Sequence, residues 1–530
     1  MSTETSPSPT TYDRIPYHSR PFPQTHPDTL FTIGRLFGLA ARPVTDCRTL
    51  ELGCAAGGNL IPMAFHLPSS RFVGVDASKT QIEAGQKTIR DLNLSNIRLV
   101  HADILDIDAS WGTFDYIITH GVYSWVPDPV QEKILSISSE NLADNGIAYI
   151  SYNTYPGCHI RDMVRQMMLY HTRQFDSPQE QIEQARALLT FLSTSVPVEN
   201  NPFGMLLKRE LDLIQRVENW YLFHDHLEDV NTPVYFHQFM ERARAHSLKY
   251  LGEADFSAMM TAGFSPDVAD TLNRITSNIT QIEQYMDFLR NRQFRQTLLC
   301  RQDIPLRRDL GPERIFNFQI ASPAYPETMP VDLTPGVPQR FRIPYGATVT
   351  SSASATKAAY QLLHSHWPKA MDLKSLSDQV RLRLIESEIP VSEEGSQDQL
   401  QLAADLLHCY SLKGLCLHSW QADMVNAAGD HPRISEVARY QAEKGENRIV
   451  NQRHETVSLD AFSSKLVPLL NGQRTREELL ARMIKLRKDG ALVVKYEESV
   501  ITEENELRSA FDTTLTQALE KLARAALLVA

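Results

Sequence analysis

Glu51-Leu52-Gly53-Cys54-Ala55-Ala56-Gly57-Gly58-Asn59-Leu60 reads as a strand end, a glycine turn and a helix start. Gly53 and Gly57 let the backbone approach a ligand and take dihedrals closed to other residues. A helix opening near Asn59 would point free N–H groups at a ligand carboxylate. The order Gly-x-x-x-Gly-Gly, with Ala55 at the middle glycine position, departs from the dinucleotide fingerprint. A turn led by Glu51 suits an ammonium group better than a pyrophosphate. Asp76, closing the next apolar run, can accept from both hydroxyls of a ribose, which argues against a 2′-phosphate. Asp103, in His101-Ala102-Asp103-Ile104, is placed to accept from an adenine amino group. Together they describe a site for a nucleoside with a charged, non-phosphate tail, which points to S-adenosylmethionine. The residues expected to hold it are Glu51, Gly53, Ala55, Gly57, Asn59, Asp76, Ala77, Asp103, Ile104 and His120.

A regular alternation has to position these groups. Strands are expected at residues 48–52, 72–75, 97–100, 114–119 and 147–152, with helices at 59–66, 78–92 and 129–142 between them. An amphipathic helix over 28–40 precedes the first strand. Strands rich in Val and Ile, separated by helices, imply an α/β fold whose parallel sheet is covered on both faces. Ligands in such sheets lie beyond the carboxyl ends of the strands. Those ends carry Glu51, Asp76, Asp103, His120 and Asn153.

Residues 159–234 change character and read as a helical insertion. A helix at 234–246 and strands near 248–252 and 294–300 then complete the sheet. The expected division is a tail over 1–11, a cofactor-binding domain over 12–158 and 235–305, the insertion over 159–234 and a proline-rich linker over 306–350. Two units, 351–425 and 450–530, follow, each with helices and a short strand, in an α+β region resembling tandem winged helices. Thr475-Arg476-Glu477-Glu478 is a capping box that opens a helix.

The chain has 530 residues, 53 Lys and Arg against 64 Asp and Glu, and a net charge of −11. That balance disfavours nucleic acid and anionic membrane as partners. No apolar run approaches the ~20 residues of a membrane-spanning helix, and the Ser-, Thr- and Pro-rich start lacks a secretion signal. Six scattered cysteines show no metal spacing and no disulfide framework, which fits a reducing cytoplasm. His224-Asp225-His226 with Glu228 reads as an exposed, substrate-facing or solvated loop, and no metal site is expected. Glu210, Glu218 and Asp225 are placed as attractors of a basic peptide. Oligomeric state is left open.

The chain resembles the class I S-adenosylmethionine-dependent methyltransferases, whose sheet is Rossmann-like. More narrowly it is similar to the bacterial branch with a methyltransferase regulatory domain, which includes rickettsial protein-lysine methyltransferases. The matching pieces are the 17–27 segment Tyr-His-Ser-Arg-Pro-Phe-Pro-Gln-Thr-His-Pro, the 51–60 turn, and His120-Gly121-Val122-Tyr123-Ser124-Trp125-Val126-Pro127. Tyr221-Leu222-Phe223-His224-Asp225 and residues 273–295 also match. The resemblance implies methyl transfer to a protein or peptide, with lysine as the acceptor. A lysine must arrive neutral, which a desolvated aromatic channel favours. Tyr17, Tyr123 and Trp125 are the expected lining, and His120 is placed to contact the cofactor or assist a proton transfer. A small-molecule N- or O-methyltransferase and a non-catalytic cofactor-binding regulator remain as alternatives.

Overall fold

The computed structural model describes residues 19–344, 346, 348–392, 395–492 and 504–530. The expected tail and Tyr17 lie outside the described residues. At the centre is a seven-stranded sheet: β1 (Arg48–Leu52), β2 (Arg71–Asp76), β3 (Ile97–His101), β4 (Phe114–Thr119), β5 (Leu142–Asn153), β6 (Leu248–Glu253) and β7 (Phe294–Arg301). Its order is β3-β2-β1-β4-β5-β7-β6. Strands β1 to β5 pair in parallel, whereas β7 runs antiparallel to both β5 and β6. This is a Rossmann-like methyltransferase sheet, and the strand order reverses between β1 and β4, where α/β sheets place their ligands.

Side chains alternate between two apolar layers. Leu50, Leu52, Ile117, Ile150 and Phe239 lie in one layer, and Ile33, Leu60, Tyr116, Ile118 and Tyr149 in the other. The helices Leu60–His66 and Lys79–Asp91 follow β1 and β2, and Ser78 caps the second through the N–H of Gln81.

Helices Cys158–Thr172, Pro178–Ser195 and Pro202–Arg216 form the insertion around a separate small core of Met168, Ile182, Leu189, Leu207 and Ile214. A π-helical turn, Phe223–Leu227, leads back to the sheet.

Between β6 and β7 the chain builds a fully buried ionic knot. Arg295 on β7 pairs with Glu253 at 2.6 Å, Asp287 at 2.8 Å and Glu283 at 3.0 Å, and its guanidinium lies 3.8 Å from the centroid of Phe236. Burial raises the pKa of Glu283 and Asp287, opposed by the attraction of Arg295.

The stretch expected as a linker supplies structure instead. β8 (Gln319–Ala321) is the central strand of a three-stranded antiparallel sheet, and β9 (Tyr325–Pro326), β10 (Gln339–Arg342) and β11 (Thr348–Ser351) form another. Phe318, Ile320, Phe341 and Val349 are buried, so these prolines separate short strands of a packed unit. β12 (Met371–Asp372) and β13 (Cys416–His418) flank β8, and helices Ser354–His366, Leu373–Glu386 and Gly395–Ser411 cover the sheet. The apolar core of this first winged-helix-like unit is continuous with one layer of the main sheet.

The last unit has its own core of Leu466, Leu479, Met483, Phe511, Leu515 and Leu522. Its wing is the hairpin of β14 (Arg448–Val450) and β15 (Thr456–Ser458). Helix Arg476–Lys488 opens on the Thr475/Glu478 capping box. No helix among the described residues is long and apolar enough to cross a membrane.

Candidate active site

A cavity of about 360 Å³ opens beyond the carboxyl ends of β1, β2 and β4. This is within the ~300–1,000 Å³ range of small-molecule sites. It brings together Glu51, Gly53, Ala55, Asn59, Asp76, Ala77, Asp103, Ile104, His120 and Trp125.

The turn after β1 is shaped by backbone bonds and one carboxylate. Gly53 has φ +75°, and a Cβ there would come within 2.4 Å of Val122 Cγ2. Ala55, with φ +48°, donates its N–H to Asp76 Oδ2 at 2.8 Å, while Asp76 Oδ1 accepts from the Ser78 N–H at 2.8 Å. Gly57 does not line the cavity. Its φ of +74° closes the turn, and a Cβ would meet Leu99 at 2.9 Å, so it serves packing.

Glu51 is buried, with Oε1 accepting from Asn59 Nδ2 at 2.7 Å. Its Oε2 is buried without a hydrogen-bond partner. Burial pushes the carboxyl pKa up to about 8, and nearby Asp76 adds to the rise while Asn59 opposes it. A buried acid oxygen without a partner, on a residue of the cavity lining, is the complement of a cationic group, so these residues fit an ammonium-bearing ligand. Asp103 caps the short turn Ile104–Asp106 through the N–H of Leu105.

The expected helix N–H contacts to a ligand are only partly available. The Gly58 N–H donates to Ser19 Oγ at 2.7 Å, because the segment from Ser19 to Thr25 crosses the turn as a strap. A Cβ on Gly58 would lie 2.4 Å from the Ser19 carbonyl oxygen. The strap adds residues that sequence reasoning did not single out as ligands: Ser19, Arg20 and Phe22 line the cavity. Their presence in the shared 17–27 segment was the available signal.

His120 is packed against Phe22, with ring centroids 4.1 Å apart, and its Nδ1 lies 2.8 Å from Tyr149 Oη. Burial lowers its pKa to about 4, so the imidazole is neutral at pH 7. Trp125 is half-buried and faces the cavity. Tyr123 does not. It is fully buried in the core against Tyr152 and Phe239, because a 3₁₀ turn sends residues two apart to different sides.

His224 and Asp225 reach the cavity from the π-helical turn, not from an exposed loop. His224 and His226 are buried, and His224 Nδ1 pairs with Glu228 at 2.9 Å. Burial raises the Asp225 pKa, with Tyr221 as a hydrogen-bond partner that opposes the rise. Of the other expected peptide attractors, Glu210 is buried and Glu218 pairs with Arg448 at 2.9 Å.

A sheet of this order, with acids at successive strand ends around one cavity, is the architecture of class I S-adenosylmethionine-dependent methyltransferases. Residues 50–148 match the model of a methyltransferase domain, 218–301 that of a predicted methyltransferase regulatory domain, and 430–527 that of the PKMT C-terminal winged helix domain. An uncharacterized protein of Rickettsia prowazekii (strain Madrid E) is 35% identical over 525 residues, covering 98% of this chain and 93% of the relative. A second from the same organism is 44% identical over 240 residues, covering 45% of this chain and 96% of its own length. The structure of PKMT2 from Rickettsia typhi in complex with AdoHcy superposes with a TM-score of 0.88 at 30% identity, over 97% of this chain and all of that one. The chain belongs to this family of S-adenosylmethionine-dependent methyltransferases with a regulatory domain and a C-terminal winged helix.

Proposed function

We propose that this methyltransferase acts on protein side chains, with the lysine amine as acceptor. The observation that carries the reading is Asp225. It brings a second source of negative charge to the cavity from the helical insertion, separate from the acids on the strand ends. The similarity over the whole chain to PKMT2, winged helix included, supports a macromolecular acceptor.

S-adenosylmethionine supplies, when bound, a methyl group already activated on a sulfonium. Glu51 would hold its ammonium end, Asp76 its ribose hydroxyls and Asp103 its adenine amino group. Arg20, whose guanidinium lies 5.3 Å from the Trp220 ring centroid, is a cation of the lining suited to the ligand carboxylate. Val122, Val126 and Val130 give the cavity apolar walls that exclude water. Asp225 attracts and orients the incoming amine, and the desolvated setting beside Trp125 favours its neutral form. Transfer is then an in-line displacement, for which the protein chiefly aligns donor and acceptor.

Incubation with radiolabelled cofactor and whole-cell lysate tests this. Label recovered as methyl-lysine in protein bands is expected. Label confined to small molecules would overturn the reading.

A further inference from the structure

We infer that His454 is a positioning residue for the cofactor site, acting through Asn59 on the Glu51 carboxylate, so that the wing of the C-terminal domain completes that site. The inference rests on the proposed role of Glu51 at the ammonium end of the cofactor.

The chain of contacts is short and buried. His454 Nε2 lies 2.8 Å from Asn59 Oδ1, and Asn59 Nδ2 donates to Glu51 Oε1 at 2.7 Å. His454, Asn59 and Glu51 are each at most 3% exposed. The direction of the bonds follows from a second donor. The Phe22 backbone N–H also donates to Asn59 Oδ1, at 2.9 Å, and a backbone N–H cannot accept. Asn59 must therefore present its oxygen to Phe22 and His454 and its amino group to Glu51. Its Nδ2 donates as well to Thr25 Oγ1 at 2.9 Å.

His454 thus donates from Nε2, which leaves Nδ1 as the unprotonated nitrogen of a neutral ring. Nδ1 is indeed buried with no partner. Burial, together with nearby His26 and His66, holds the ring's pKa well below its ordinary value. A flipped amide would set Nδ2 against two N–H donors and Oδ1 against a carboxylate. The His454 bond opposes that flip. Glu51 then keeps one oxygen engaged and the other without a hydrogen bond from the protein.

The wing is built to deliver this side chain. His454 sits between β14 and β15 with φ +61°, a left-handed conformation that a non-glycine residue adopts when its surroundings enforce it. Asn451 enforces it: its Oδ1 accepts from the N–H groups of Arg453 and Glu455, and its Nδ2 donates to the Ala525 carbonyl at the end of the last helix. Gln452 N donates to the Ala526 carbonyl at 2.9 Å. The tip of the wing is therefore tied to the core of its own domain while its histidine reaches Asn59, a residue of the cavity lining. Anything that displaces this domain would weaken cofactor binding, and by linkage the cofactor would hold the domain in place.

The test is a double-mutant cycle on S-adenosylmethionine affinity by calorimetry with the full chain, using His454→Phe and Glu51→Gln. His454→Phe should raise Kd about tenfold, the scale of one hydrogen bond. His454→Gln, whose amide can donate from a similar position, should restore most of the affinity. In the Glu51→Gln background, His454→Phe should cost much less than in the wild type. Fully additive losses, or an unchanged Kd for His454→Phe beside a weakened Glu51→Gln, would overturn the inference. An unchanged Kd for Glu51→Gln would instead overturn the role given to Glu51. Should His454→Phe fold poorly, failure of the His454→Gln variant to bind near wild-type strength would also count against it.

Discussion

Asp76 Oδ2 accepts the backbone N–H of Ala55 at 2.8 Å, so the acid ending β2 grips the turn that ends β1. One carboxylate is thus both a brace and an acceptor within the cavity. It holds Ala55 at φ +48°, which alanine otherwise avoids.

Asp76→Ala should therefore weaken cofactor binding about 10- to 100-fold, through loss of the charged acceptor and relaxation of the turn. Titration calorimetry measures the first effect and a fall in Tm the second. Unchanged affinity would remove Asp76 from the site.

Glu51 should make cofactor binding pH-dependent if it holds the ammonium group as proposed. Burial pushes its pKa up to about 8, which leaves it protonated at neutral pH in the free protein. An ammonium requires the carboxylate, so binding should release a proton below pH 8. Affinity should rise from pH 6 to pH 8 and level off above. Stability of the free protein follows the opposite trend: the contribution of a raised carboxyl is present below about pH 4.5 and lost as pH rises through about 8. Calorimetry in buffers of different ionisation enthalpy reads the proton release, and Glu51→Gln should abolish it.

Arg295 lies within 3.0 Å of all three buried acids, Glu253, Glu283 and Asp287, while Arg292 reaches only Asp287 at that range, at 2.9 Å. Arg295→Met would leave buried negative charge uncompensated and should cost ~3–5 kcal/mol of stability. Urea denaturation followed by circular dichroism checks this.

Tyr123 and Trp125 should part company on mutation. Tyr123→Ala hollows the core beside Phe239 and should cost ~3–5 kcal/mol. Trp125→Ala should lower turnover about tenfold or more while leaving Tm nearly unchanged, if the ring orients the acceptor. Paired melting curves and steady-state rates separate the two.

Much of this was legible in the residues. Short apolar runs, most of them rich in Val and Ile, separated by helical ones place Glu51, Asp76 and Asp103 at strand ends, because a parallel sheet covered on both faces sets its turns on one side. The Thr475/Glu478 box is equally local, since a cap depends on residues three apart. Less accessible was the 306–350 stretch, where proline spacing suggests a linker but Ile320 and Phe341 pack against elements distant in sequence. Tyr123 was misread for a related reason, since the direction of a side chain in a three-residue turn depends on the core behind it.

The chain order alone was enough to specify the doubly wound sheet, the glycine turn and the acids around it, for these follow from short-range periodicity and sterics. The company those acids keep was a matter of folding at long range. The Ser19–Thr25 strap over Gly58 and Asp225 from the insertion meet at the cavity, and His454, from a wing 395 residues beyond Asn59, bonds to Asn59 of its lining. No local pattern encodes such meetings. They arise when burial packs separate modules together and their buried polar groups must find partners in the same small volume.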